Sequence, residues 1–305
     1  MPSITRRHFL AAASASAAAL TASARQPAAR PTVAKHRFTL NYAPHFGMFG
    51  NHAPDDLDQI AFAADQGFTA WEDNGMKGRS VEDQEKIARQ FQKYHIQMGI
   101  FVAQSLDWNN PTLTTGDADI RARFVREMKE GTEVAKRLNT THVTTVVGRV
   151  SQNLPFGHNF ANALEALKQA AAAIEPSGLI MVVEPLNWRD HPGQFANTSD
   201  ILYALVKAVD SPSCKVLQDL YHLQVTEGNL IDNMDRCWDE IAYFQTGDNP
   251  GRCEPGTGEV NYKNVFRHIR ERGFTGILGM EHGNSKPGKE GELAVIEAYA
   301  QADAA

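Results

Sequence analysis

Cysteine is scarce in this 305-residue chain, and its scarcity argues against two classes of protein. The three cysteines, Cys214, Cys237 and Cys253, are odd in number and show no C-x-x-C spacing. A small disulfide-stabilised fold and a thiolate zinc site are both disfavoured by this pattern. Stability must therefore come from a hydrophobic core, which a content of 42% hydrophobic residues can supply.

Basic clusters and long hydrophobic runs are also missing. The chain has 30 Lys and Arg against 36 Asp and Glu, a formal net charge of −6, so we expect no nucleic-acid partner. The Ala-rich run near the start is diluted by serine and too short to span a bilayer, which takes roughly 20 apolar residues. No stable membrane insertion is expected. The sequence leaves the oligomeric state open, a homo-oligomer included.

The first residues differ in composition from the rest of the chain. Arg6 and Arg7 form a twin-arginine pair, followed by an Ala and Ser run that ends in the small-residue site Ala22-Ser23-Ala24. This pattern predicts a twin-arginine export signal over 1–24, a Pro- and Ala-rich linker over 25–36 and a folded domain over 37–305. The mature protein is then expected in the periplasm. A disordered Ala-rich tail is the alternative interpretation.

After the linker, short β-branched or aromatic runs alternate with longer segments of helical periodicity. The predicted strands are 38–44, 68–74, 98–104, 142–148, 179–187, 215–222, 241–247 and 276–282. The predicted helices are 55–66, 81–95, 119–138, 159–175, 199–209, 230–239, 262–272 and 290–302. Eight consecutive βα units predict an α/β fold of the (β/α)8 TIM-barrel type. An open doubly wound sheet is the rival, but no G-x-G-x-x-G follows the first strand.

Oxygen-bearing side chains follow apolar runs at the ends of the last four predicted strands: Glu184, Asp219, Gln245 and Glu281. Barrel strands end around one mouth, so we expect these side chains to converge. Three carboxylates and an amide oxygen suit a hard divalent cation, Mn²⁺ or Mg²⁺. The structural alternative pairs each acid with a loop arginine, Arg189 or Arg252.

The segment after strand seven, from Gln245 to Tyr262, is rich in Gly and Pro and predicts an ordered loop over the mouth, which holds Arg252 and Glu254. Together with Glu184-Pro-Leu-Asn187 and Asp219-Leu-Tyr-His222, this segment resembles the hydroxypyruvate isomerase family of the xylose-isomerase-like TIM barrels. The likeness covers essentially the whole predicted domain. The Gly247–Arg252 stretch and the residues up to Tyr262 are its most specific part.

The resemblance implies roles for individual residues. Glu184, Asp219, Gln245 and Glu281 would hold the metal, and Glu184 and Glu281 would also form the catalytic acid/base pair. His222 and Arg252 would contact substrate oxygens, and we add Asn187 and Glu254 as further substrate-binding residues. For His222, a role in orienting Asp219 is an equal alternative.

The expected chemistry is proton transfer beside a carbonyl of a small sugar or hydroxy-carbonyl acid, through an enediolate. Isomerisation is the leading hypothesis, and the residues leave 3-epimerisation of a ketose and elimination or hydration of a keto-glycoside open. A glycosidase built on Glu184 and Glu281 would leave Asp219 and Gln245 unexplained. The alternative of another class is a non-catalytic periplasmic sugar-binding barrel. Nothing resembles G-x-S-x-G or H-E-x-x-H.

Overall fold

Eight short parallel strands form the centre of the molecule in a computed structural model that describes residues 35–304. The predicted signal segment and nearly all of the predicted linker lie outside the described residues. The strands are β1 Asn41–Ala43, β2 Ala70–Trp71, β3 Gln97–Met98, β4 His142–Thr145, β5 Ile180–Val183, β6 Cys214–Asp219, β7 Ile241–Gln245 and β8 Ile277–Gly279.

Two groups of strands close into one ring. Six strands pair in the order β1-β8-β7-β6-β5-β4, and β2 pairs with β3. The Glu72 amide donates to the Pro44 carbonyl (2.9 Å) and so joins β2 to β1, while the Thr144 amide donates to the Phe101 carbonyl (2.9 Å) and joins β4 to the end of β3. The predicted α/β barrel is thus the observed architecture.

Nine helices lie between or after the strands in the described part of the chain. They are α1 Asp56–Gln66, α2 Val81–Tyr94, α3 Ala118–Leu138, α4 Phe156–Ile174, α5 Ser199–Val209, α6 Leu220–Thr226, α7 Leu230–Cys237, α8 Tyr262–Glu271 and α9 Gly288–Asp303. Helix ends follow ordinary capping chemistry. The Ser80 side chain accepts the Asp83 amide at the start of α2, and Gly67 ends α1 with a φ of 107°. None of these helices is long and apolar enough to cross a membrane.

The sequence-based boundaries need two corrections. Every predicted strand is too long at its carboxyl end, because the regular strand pairing stops before the residues that enter the loops or, after β6, a helix. The sixth predicted strand, 215–222, is wrong beyond Asp219, since Leu220–Thr226 is a helix. The Asp219 side chain accepts the His222 amide (2.8 Å) and so caps that helix directly at the strand end.

The barrel interior is closed by an apolar layer below the mouth. One buried residue from each of seven strands or their extensions contributes to it, namely Ala43, Ala70, Ile100, Val182, Leu217, Tyr243 and Ile277. Side chains on one face of a strand recur every second residue. The next inward positions are therefore Glu72, Glu184, Asp219, Gln245 and Gly279, directly above this floor at the carboxyl ends of the strands.

Candidate active site

The predicted acidic cluster forms at the mouth. Ligand atoms of Glu184, Asp219, His222 and Glu281 all lie within 4.8 Å of one another. Glu184 follows β5, Asp219 ends β6, and Glu281 follows β8 by two residues. Parallel strands place their carboxyl ends at the same rim, so residues nearly one hundred positions apart in sequence meet here.

Glu281 is held by hydrogen bonds to both of its oxygens. The Arg252 guanidinium donates to Oε2 (2.6 Å), and the Asn74 amide donates to Oε1 (2.7 Å). The same guanidinium lies 3.7 Å from Asp219 Oδ2 and stacks over the Tyr221 ring at 4.8 Å. Arg252 adopts a left-handed backbone conformation (φ 49°), and its amide donates to the Asp248 carbonyl (2.8 Å). The loop after β7 thus fixes Arg252 beside two of the acids.

The site carries more negative than positive charge. Burial raises the pKa of Glu184 well above its ordinary value, and the charges of Glu281 and Asp219 add to the effect. Burial also raises the pKa of Asp219 and of Glu281, although Arg252 opposes the shift in both cases. Three clustered carboxylates with one guanidinium are costly to ionise together without a further cation.

Gln245 has a buried side-chain oxygen that accepts no hydrogen bond from the described residues. Its amide nitrogen donates to Glu72 Oε1 (2.7 Å), whereas its buried Oε1 has no hydrogen-bond partner among the described residues. A buried polar atom without a partner is costly unless something outside the protein binds it. An amide oxygen beside three carboxylates fits a hard divalent cation. Glu184, Asp219, Gln245 and Glu281 could together hold such an ion.

His222 is oriented as a donor toward this cluster. Its Nδ1 accepts the backbone amide (3.2 Å) and the side-chain amide (2.8 Å) of Asn187, so the neutral ring carries its proton on Nε2. Nε2 lies 3.6 Å from Glu184 Oε1 and 3.9 Å from Asp219 Oδ2. Burial and the Arg252 charge lower the pKa of His222 to about 3, which keeps it neutral. A protonated Nε2 is available to a substrate oxygen and not to a metal.

The cluster opens into a cavity of about 220 Å³ whose lining is partly apolar and partly polar. The apolar side chains are Val102, Leu106, Trp108, Val146 and Leu186, and the polar ones are Asn74, Thr144, Thr145, Glu184, His191, His222, Arg252 and Glu281. Trp108 is 43% exposed at the entrance, and its ring lies 5.0 Å from that of His191.

Two predicted substrate-binding residues lie behind the cavity wall. Asn187 is fully buried and contacts His222 and Asp190, not the cavity. Glu254 is 3% exposed, and its carboxylate accepts the Ser285 amide (2.9 Å) and hydroxyl. In the described part of the chain, neither residue is among those that line the cavity. Both hold the loops that position the contacting side chains.

Three residues near the cluster were not predicted from the sequence: Glu72, Asn74 and His191. Glu72 carried a usable signal, since it follows the buried pair Ala70-Trp71 just as Glu184 follows its strand. Asn74 and His191 lie in loops without a comparable pattern. Their place at the cavity depends on the tertiary structure.

The fold and the cluster define a class of protein: a parallel α/β barrel with an acidic, cation-compatible site at the carboxyl-terminal mouth. Residues 60–301 match the family model described as xylose isomerase-like TIM barrel, so the chain belongs to that family. The resemblance to hydroxypyruvate isomerases that the motifs indicated is confirmed by the relatives.

The curated relatives include two isomerases. The 2-oxo-tetronate isomerase of Cupriavidus necator is 28% identical over 268 residues, which cover 86% of this chain and 98% of that protein. The hydroxypyruvate isomerase of Escherichia coli is 31% identical over 148 residues, 48% of this chain, and the match spans 57% of that enzyme's length. Among solved structures, a protein titled AP endonuclease, family 2, from Brucella melitensis superposes with a TM-score of 0.73, at 24% identity over 85% of this chain and 99% of that one. That likeness shows the shared fold alone.

Proposed function

We propose that this protein is a divalent-metal-dependent isomerase of a small hydroxy-carbonyl acid or keto sugar. The observation that carries the proposal is the cluster that holds the two glutamates, Glu184 and Glu281, together with Asp219, whose neighbour in the sheet, Gln245, has a buried oxygen without a partner among the described residues. The two isomerase relatives support the reaction class.

Glu184, Asp219, Gln245 and Glu281 would hold the ion, and the all-oxygen donor set favours Mn²⁺ or Mg²⁺. When bound, a divalent ion supplies Lewis acidity that stabilises negative charge on neighbouring carbonyl and hydroxyl oxygens. His222 is excluded from the ligand set because its Nε2 carries a proton.

The protein's own groups move the proton. One of the two glutamates takes a proton from the carbon that bears the hydroxyl group beside the carbonyl, and the other returns a proton to the former carbonyl carbon. The hydroxyl proton passes to the former carbonyl oxygen, so the two functional groups exchange places. Proton exchange with solvent then restores the starting protonation of both glutamates. His222 Nε2–H donates to a substrate oxygen, and Arg252 balances part of the charge that develops nearby. The apolar lining around Leu106 and Val146 limits water at the reacting carbons.

The test changes Glu184 or Glu281 to Gln. Glutamine keeps an oxygen to offer a metal but cannot accept a carbon-bound proton, so turnover of hydroxypyruvate, 2-oxo-tetronate or a ketose should fall by about 10²–10⁴. Exposed Glu297→Gln is the matched control, since it removes the same charge from the surface of α9. Deuterium exchange from solvent separates the two roles: loss of the base abolishes exchange, while loss of the acid stops product formation and can leave exchange intact.

Several results would change the proposal. Wild-type turnover in both variants would refute the proton-transfer mechanism. A product inverted at carbon 3 would keep the acid/base pair and assign a ketose 3-epimerase. Tight sugar binding with neither exchange nor turnover would assign the non-catalytic binding barrel.

We also propose that the protein acts after export. The twin arginines Arg6 and Arg7 and the small-residue site ending at Ala24 support this, because such signals accompany proteins exported already folded.

A further inference from the structure

Glu72 lies beside the proposed metal site, in the same inward layer as Glu184, Asp219 and Gln245. It follows β2, is 2% exposed, and extends across the barrel interior toward β7 and β8. Gly279 on β8 makes room for it: a Cβ built on Gly279 would lie 1.9 Å from Glu72 Oε2. The carboxyl group therefore occupies a space that almost any other residue at position 279 would fill.

Tyr243 fixes one oxygen of this carboxyl group. The phenol hydroxyl donates to Glu72 Oε2 (2.8 Å). The Tyr243 side chain belongs to the apolar floor, so its position is set by core packing.

Gln245 contacts the other oxygen. Its Nε2 donates to Glu72 Oε1 (2.7 Å), so the NH2 end of the Gln245 amide is the end that faces Glu72. A reversed Gln245 amide would place its oxygen against the carboxylate and its NH2 group among the other acids. The contact with Glu72 thus selects the orientation in which Gln245 Oε1 faces the cluster.

We propose that Glu72 is a positioning residue that aligns the Gln245 amide so that its oxygen, and not its nitrogen, reaches the metal. The inference rests on the proposed metal-dependent function and adds a residue that does not itself contact the ion. Tyr243, Glu72 and Gln245 form one hydrogen-bonded chain from the floor to the site.

The first variant is Glu72→Gln. Its amide oxygen should accept the Tyr243 hydroxyl, so its NH2 group would face position 245 and draw the Gln245 oxygen away from the ion. Loss of such an orienting contact costs about 10–100-fold in metal affinity. The measurement is Mn²⁺ affinity by titration calorimetry on the folded protein, which needs no substrate.

Repeating Glu72→Gln in a protein that already carries Gln245→Glu separates the effect of amide orientation from the effect of the Glu72 charge. Gln245→Glu has an oxygen at either position of its side chain, so it needs no orienting partner. In that background Glu72→Gln should leave Mn²⁺ affinity unchanged or raise it, because it also removes repulsion between two carboxylates. An equal fall in both backgrounds would show that Glu72 acts through charge alone and would overturn the proposal.

Glu72→Asp provides an independent check should Glu72→Gln fail to fold. It keeps the charge but withdraws the carboxylate by one methylene, so we expect Mn²⁺ affinity to fall by about tenfold or more. Wild-type affinity in folded Glu72→Asp, or in folded Glu72→Gln, would contradict the proposal. If the wild-type protein binds no Mn²⁺, the proposed metal-dependent function is refuted. If wild type and variants bind Mn²⁺ equally, only the positioning role of Glu72 is refuted.

Discussion

At the scale of single residues, Asp219 has two roles in the cluster. Asp219 accepts the His222 amide through Oδ1 and lies 3.7 Å from Arg252 through Oδ2. It therefore both caps helix α6 and faces the site. A substitution that keeps the cap while removing the charge separates these two duties.

Asp219→Asn is that substitution. Asparagine is as good an N-cap as aspartate, so folding should be nearly unchanged. Mn²⁺ affinity should fall by at least about tenfold, because one of the anionic donors is lost. Metal content after gel filtration, with surface Asp235→Asn as control, measures the effect. An Asp219→Asn protein that retains one tightly bound ion would make Asp219 a structural residue.

At the scale of elements, the loop after β7 is built around one buried carboxylate. Asp248 is fully buried and accepts the backbone amides of Gly256 (2.8 Å), Gly258 (2.9 Å) and Val260 (3.1 Å). A Cβ built on Gly258 would lie 2.3 Å from the Asn249 carbonyl oxygen. The loop can therefore approach itself only because glycine stands at that position.

Asp248→Ala should release this loop. Three backbone donors lose their acceptor, and the Val260 amide is the buried one, for which the loss costs about 1–3 kcal/mol. Arg252 also loses its fixed position. We expect lower stability by urea unfolding and faster proteolysis within 249–260, while exposed Asp58→Ala should behave as wild type. Unchanged proteolysis would mean that the Gly and Pro residues order the loop without Asp248.

The same scale shows what sequence patterns could predict. Alternation of apolar runs and amphipathic segments was sufficient for eight βα units, because both periodicities are local. Helix α6 was missed because Leu220 and Leu223 continue the apolar run of β6, and only the Asp219 cap marks the change. The four proposed metal ligands could be predicted from the sequence because each stands at or just after the end of an apolar strand. Asn74 and His191 were not found, since they reach the cavity from loops whose path depends on tertiary packing.

At the scale of the whole molecule, a partly enclosed histidine couples stability to pH. Burial lowers the pKa of His142, at the start of β4, to about 4. In the unfolded chain the pKa of this histidine has its ordinary value of about 6.5, so between pH 6.5 and pH 4 the unfolded chain binds a proton that the folded chain does not bind. The contribution of neutral His142 to stability is therefore complete above pH 6.5 and is lost as the pH falls toward 4.

His142→Gln should flatten this dependence. Between pH 7 and pH 5 the wild type should lose up to about 2 kcal/mol more unfolding free energy than the variant, at about 1.4 kcal/mol per pKa unit. Urea unfolding at the two pH values measures the difference, and exposed His158→Gln is the control. Equal slopes for wild type and His142→Gln would contradict the assignment.

The proposed export also concerns the whole chain. Replacing Arg6 and Arg7 with Lys keeps the positive charge but removes the twin-arginine pair, so full-length precursor should accumulate in the cytoplasm. The wild-type mature protein should begin close to Arg25. Fractionation and amino-terminal sequencing provide the readout, and normal export of the double variant would remove the twin-arginine claim.

The apolar floor of the barrel also bears on how such an enzyme can diversify. Glu184, Asp219 and Gln245 each stand two positions beyond a floor residue, Val182, Leu217 or Tyr243 on the same strand. Their side chains project above a layer that is packed without them, and the loops beyond them shape the cavity. Substitutions in those loops can therefore alter the shape of the cavity while the packing of the apolar layer stays unchanged. This arrangement makes the barrel an evolvable scaffold, in which new specificity can arise in the loops without loss of the native structure.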